Sequence, residues 1–169
     1  SEMCIRDRKD SDSNRVYRTY DEITAKTDFL PHAFVAIEDE RFYEHNGIDI
    51  QGILRAGVVG VMNGFDFTEG ASTLTQQLIK NNVFDFVNEK TFFDRVERKL
   101  QEQYLALAFE KEMNKNEILE AYLNTINLGQ GCLGVQTAST RYFNKDVADL
   151  TLSECAVIAA ITQNPTEYD

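Results

Sequence analysis

Between Asp49 and Phe65, apolar residues recur at Ile50, Ile53, Leu54, Val58, Val61, Met62 and Phe65, one face of a helix at a period of 3.6. The same period returns from Arg95 to Met113, where Val96, Leu100, Tyr104 and Leu107 form a stripe, and again in "NKNEILEAYLNTI" and "TLSECAVIAAIT". Strand-like alternation is scarce, so the pattern confines the chain to a mainly α fold of packed helices. Gly52, Gly57, Gly60 and Gly64 weaken the first of these helices in water. That helix faces either a core or an outside support such as lipid, and its sequence admits both.

Capping chemistry marks the other elements. "TEGASTLTQQLIKNN" passes from a glycine turn into a helix whose N-cap is Ser72 or Thr73, and amides exposed there favour an anion. "VFDFVNEKTFFD" has no clean period and reads as a loop or short helices. Asn114 or Asn116 caps the next helix, "NLGQGCLG" breaks regular structure, and Thr151 with Glu154 has capping-box spacing before the last helix. No internal repeat or second-domain boundary interrupts this order, and 169 residues suffice for one domain with a substantial core.

A net charge of −11, from 28 acidic and 17 basic side chains, argues against general binding of nucleic acid, which needs Lys and Arg against phosphates. Five of the basic residues lie within the first 18 positions, so Arg95, Arg98 and Lys99 stand out in an acidic body. Cys4, Cys132 and Cys155 lack metal-ligand spacing, and their odd number argues against a disulfide framework. Cys132 and Cys155 read as buried, inert thiols. No run approaches the ~18 apolar residues that span a bilayer. The polar start, residues 1–19, is expected to be a disordered tail, with residues 20–169 as the domain and any membrane anchor upstream.

Helical spacing places Arg95, Arg98 and Glu102 on one face with Lys99 on its flank. Alone, that is a surface salt-bridge ladder of little energetic weight. Lys80 and Asn81 end another helix, however, and Glu38 with Asp39 follows the apolar "AFVAI". Two carboxylates and several cations suggest acid/base work on a polyanionic substrate: a departing phosphate or pyrophosphate needs the cations, and one carboxylate takes a proton from the attacking hydroxyl. His32, after Pro31, reads as a surface residue and His45 as a hydrogen-bonded structural one.

"EDERFYEHNGIDIQGILRA", "GASTLTQQLIKN", "RKLQEQYLALAFE", "KNEILEAYLN" and "RYFNKDVADLTLSECAVIAA" occur in this order, and together they resemble the five blocks of the peptidoglycan glycosyltransferases, the transglycosylase domain of class A penicillin-binding proteins and monofunctional transglycosylases. The likeness covers residues 20–169. It implies a lysozyme-like helical head with a smaller membrane-associated jaw near residues 48–68. It implies polymerisation of lipid II into β-1,4-linked glycan by inverting displacement of undecaprenyl diphosphate, with Glu38 as general base. Glu102 matches the second glutamate, which organises the diphosphate region or takes a divalent cation, Mg2+ or Mn2+; no tightly bound cofactor is implied. Lys80, Arg98 and Lys99 match donor-diphosphate contacts. Ser72, Thr73, Gln76, Gln77 and Asn81 match polar residues of the cleft, while Asp39 and His45 shape the site.

The resemblance further implies lipid II, the nascent glycan and moenomycin-type inhibitors as ligands, and a place on the outer face of the bacterial cytoplasmic membrane. The sequence departs from the family at Gly70-Ala71, where a double glycine is usual, and at Asn144, where glycine is common. Arg95 lies three residues before Arg98 instead of four, and the chain ends where relatives continue, as a truncated domain would. A lysozyme-like hydrolase and a catalytically silent lipid II-binding scaffold are the competing readings.

Overall fold

The computed structural model describes residues 15–62, 71–83 and 91–163. Their order is α1 (Tyr20–Ile23), α2 (Phe29–Glu38), α3 (Ile50–Met62), α4 (Leu74–Val83), α5 (Phe92–Glu112), α6 (Lys115–Thr125), α7 (Val135–Phe143), a 3-10 turn (Val147–Asp149) and α8 (Leu152–Ile161). No strand occurs among the described residues beyond an isolated Asn127–Leu133 bridge. This helical fold accords with the lysozyme-like head that the resemblance implies.

Helix starts follow the chemistry of orphan amides. Thr151 and Glu154 form both halves of the expected capping box on α8. Thr73, and not Ser72, caps α4: its Oγ1 accepts from the Gln76 amide at 3.2 Å. Asp49 caps α3 through the Gly52 amide at 3.0 Å. Thr91 and Asp94 make a further box, so α5 starts at Phe92, three residues ahead of the expected Arg95. The short Asp in place of Glu or Gln hid that box in the sequence.

The chain divides into two compact units, one from the residues up to Phe34 with those from Asn116 onward, the other from Val35 to Lys115. In the first unit the Phe34 ring meets Tyr122 edge-on, centroids 5.9 Å apart, and Leu30, Leu119, Leu128, Val135 and Ile158 are buried with them. Burial raises the pKa of the Cys132 and Cys155 thiols, as inert interior cysteines require. Gly134, with φ +83°, lets α7 begin against α6: a Cβ there would stand 2.7 Å from the Asn124 carbonyl oxygen. Asn144 closes α7 in the left-handed region, which explains why it can stand in for a glycine.

Residues 17–19, set with the tail in the sequence reading, are held by hydrogen bonds. Asn124 brackets Arg18, accepting its amide at 2.9 Å and donating to its carbonyl at 2.7 Å. The Arg18 guanidinium reaches Gln136 and Asp146, and Tyr17 donates to Glu120. These contacts, not periodicity, tie residues 17 and 18 to α6 and the segments beyond it.

The second unit holds α3, α4 and α5. On α5 the apolar stripe points outward: Phe93, Val96, Leu100, Tyr104 and Leu107 are exposed, while Glu102 and Ala106 on the opposite face are fully buried. Ile50, Ile53, Leu54 and Val58 of α3 are exposed as well, so that stripe does not face a core. Val61, Met62 and Phe65 lie outside the described side chains or residues. Among the described residues, no helix is long and apolar enough to cross a membrane.

Candidate active site

The last residue of α2 is Glu38, half-buried, and its Oε2 accepts from Gln77 Nε2 at 2.8 Å. That contact depends on the next residue. Asp39 is buried, and its Oδ2 accepts from the Leu74 amide at 3.0 Å, fastening the first turn of α4 to the end of α2. One turn further along α4, Gln77 then meets Glu38.

His45 completes the anchor. The Gly47 amide donates to Nδ1 at 3.1 Å, which places the imidazole proton on Nε2, 3.0 Å from both Asp39 oxygens. The Gly47 carbonyl accepts from Thr73 Oγ1 at 2.8 Å and Gln76 Nε2 at 3.2 Å. Gly47 has φ +92°, and a Cβ there would stand 2.7 Å from the Ala106 carbonyl oxygen, so α5 packs directly on this turn. Gly47→Ala combines left-handed strain with a backbone clash and is expected to cost on the order of 3 kcal/mol in chemical denaturation. A loss under about 1 kcal/mol, the scale of an ordinary helix glycine, would refute that tight approach.

A cavity of about 140 Å3 opens beside Glu38. Asp39, Arg41, Asp49, Arg55 and Ser72 share its lining. Arg41 is committed: Nε and Nη2 hold Asp49, and Nη1 holds Glu40 at 2.7 Å. This guanidinium, together with the Gly52 amide, keeps the Asp49 carboxyl below its ordinary pKa. Ser72 leads to a second charged group. Its Oγ accepts from Lys99 Nζ at 2.6 Å, and Lys99 also reaches Glu102 Oε2 at 3.2 Å. Arg98 donates to Glu102 Oε1. Glu102, with no exposed surface, thus has a cation on each oxygen.

Those cations bear on the metal question. Both Glu102 oxygens are engaged, and among the described residues no group of three or more His, Cys, Asp or Glu side chains is placed to hold an ion. Structural zinc sites need several such donors, whereas magnesium takes one or two carboxylates together with substrate phosphates. The described residues therefore form no preassembled cage of three or more such donors.

The transglycosylase family model matches residues 2–169. The chain belongs to the transglycosylase family. Penicillin-binding protein 1A of Clostridium perfringens is 52% identical over 145 residues, 84% of this chain and 20% of that protein. Penicillin-binding protein 1A of Clostridium botulinum is 50% identical over 142 residues, 82% of this chain and 16% of the relative. Penicillin-binding protein 1F of Bacillus subtilis is 47% identical over 136 residues, 80% and 18%. The chain thus spans about a fifth or less of the relatives it matches. As a transglycosylase domain it is a glycosyltransferase of peptidoglycan.

Not every expected residue reaches the cavity or the charged cluster beside it. Glu38, Asp39, Ser72 and Thr73 border the cavity, Gln77 touches Glu38, and Arg98, Lys99 and Glu102 cluster beyond Ser72. Gln76, expected in the cleft, is buried and, like Thr73, serves the Gly47 carbonyl; its Oε1 has no partner among the described residues. Arg95 is exposed one turn before Arg98 and does not join the cluster, because the inner face of α5 runs through 98, 102 and 106. Lys80 is half-buried in the last turn of α4, and Asn81 is exposed. Ala71 lies against the cavity, while Gly70 is outside the described residues. Sequence reasoning missed Arg41, Asp49 and Arg55. The signal available was Asp49 as an N-cap ahead of the Ile50 stripe, with an arginine eight residues upstream.

Proposed function

We propose that this domain polymerises lipid II, with Glu38 as the general base. One observation carries the reading: a half-buried carboxylate and the Ser72–Lys99–Glu102 chain adjoin a single cavity. Both adjacent carboxylates line the cavity, but Asp39 is buried and spent on His45 and the Leu74 amide, whereas Glu38 is half-buried and held by the neutral Gln77 amide. Glu38 takes the proton from the acceptor 4-hydroxyl. The freed oxygen attacks the donor's anomeric carbon from the side opposite the diphosphate, which forms the β-1,4 bond as the carbon–oxygen bond to undecaprenyl diphosphate breaks. Lys99 and Arg98, with Lys80 near the end of α4, stabilise charge building on the leaving group.

Lipid contact fits the same scheme. The exposed apolar residues Ile50, Leu54 and Val58 support a jaw near residues 48–68, of which 63–68 lie outside the described residues, resting on the outer face of the cytoplasmic membrane. The deciding assay supplies lipid II in detergent and, separately, finished lipid-free glycan. Glycan polymer from the first, blocked by moenomycin, is the expected result. Fragments released from the second would assign a hydrolase, and lipid II binding without polymer would assign a scaffold.

A further inference from the structure

Cations within the second unit differ in how they are used. Arg41 is 18% exposed and has its guanidinium edges filled by Asp49 and Glu40. Lys99 and Arg98 are held by a buried carboxylate, and Lys115 is held by Glu110 at 2.6 Å and the His45 carbonyl at 2.7 Å. Arg55 is different. It lines the cavity beside Glu38, its side chain is 61% exposed, and its partner among the described residues is Glu40, through one Nη1 contact at 3.1 Å.

Glu40 is itself 56% exposed and already bonded by Arg41 through the same oxygen. An exposed single-contact ion pair contributes little stability. An incoming oxyanion can therefore replace Glu40 on Arg55 at small cost, while Glu40 keeps Arg41. The exchange offers the ligand a planar fork of donors that suits carboxylate or phosphate.

We propose that Arg55 is a binding residue for the acceptor, gripping an oxyanion of that molecule while Glu38 faces its hydroxyl, with Glu40 as the internal carboxylate that the ligand displaces. This rests on the glycosyltransferase reading above and adds an anion contact on the Glu38 side, distinct from the Lys99–Arg98 group. The oxyanion belongs either to the acceptor's diphosphate or to a peptide carboxylate, and the chemistry of the site is the same for both.

The test measures polymerisation by the intact protein with a preformed lipid-linked glycan as donor and varied acceptor. Arg55→Gln is expected to raise the acceptor KM about tenfold, the loss of one charge-assisted hydrogen bond, with kcat within about twofold. Arg55→Lys should recover part of that loss, and Glu40→Gln should lower the acceptor KM. Melting temperature stays unchanged in Arg55→Gln because the pair is exposed. Acceptors lacking the diphosphate, or carrying amidated peptide carboxyls, identify the source: the analogue that erases the difference between wild type and Arg55→Gln has lost the group Arg55 holds. An unchanged acceptor KM in Arg55→Gln, beside an active wild type, overturns the proposal and leaves the polymerase reading standing. A wild type that neither polymerises nor binds acceptor overturns both.

Discussion

Glu38→Gln is expected to reduce lipid II polymerisation by about 10³-fold or more, within the range that general-base removal costs, without loosening the fold. The physical case rests on what the amide retains. Glutamine has the same shape, and its carbonyl oxygen still accepts the Gln77 Nε2 hydrogen now bound by the carboxylate at 2.8 Å. The side chain is half-buried at a cavity wall and not in the core, so no buried charge is orphaned. Melting temperature should stay within about 1 °C, an effect well below the few degrees that each kcal/mol commands in a domain this size. Binding of lipid II and of moenomycin should persist, because the cations on α5 are untouched. Near-normal turnover in this variant would remove Glu38 from the chemistry. Lost turnover with a collapsed melting temperature would instead make it a structural residue like its neighbour.

That contrast between neighbours was only half legible in the sequence. The family blocks and the helical period pointed to Glu38 and Asp39 together, and the ordered motifs assigned one to chemistry and one to support. The mechanism of support was not readable, because it depends on contacts 6 and 35 residues away, at His45 and Leu74. Capping boxes carry their own signature, and Thr151 with Glu154 was expected and found. Periodicity was less informative on α5. It marks an apolar face but not which face is buried, and here the inner one carries Arg98 and Glu102 while Leu100 and Tyr104 face out. A polar face packed inward reverses the usual inference from amphipathicity. Gln76 shows the same inversion: expected in the cleft, it is buried with its amide on the Gly47 carbonyl, which also takes the hydroxyl of Thr73 at the cavity edge.

Glu102→Gln is the converse experiment, with a large expected effect on stability as well as on turnover. Wild-type Glu102 is fully buried between Arg98 and Lys99, side chains that are 15% and 38% exposed. Removing its charge weakens a largely buried ion pair with the Arg98 guanidinium, a change that costs about 3 kcal/mol or more. The melting temperature should fall by roughly 10 °C on the usual conversion. Turnover should fall too, since Lys99 loses the carboxylate that orients it toward Ser72 at the cavity edge, and Arg98 loses the same anchor. Inorganic pyrophosphate separates a counter-ion from a proton-transfer group. If Glu102 balances cations that receive the diphosphate, pyrophosphate should raise the melting temperature of Glu102→Gln by several degrees more than that of wild type, because the added anion restores the missing charge. An acid or base acting on the sugar would give equal shifts in both proteins, and equal shifts would reject the counter-ion role. The two glutamines thus predict opposite pairs of results: Glu38→Gln is stable, inactive and indifferent to pyrophosphate, whereas Glu102→Gln is weakened and is partly restored by it.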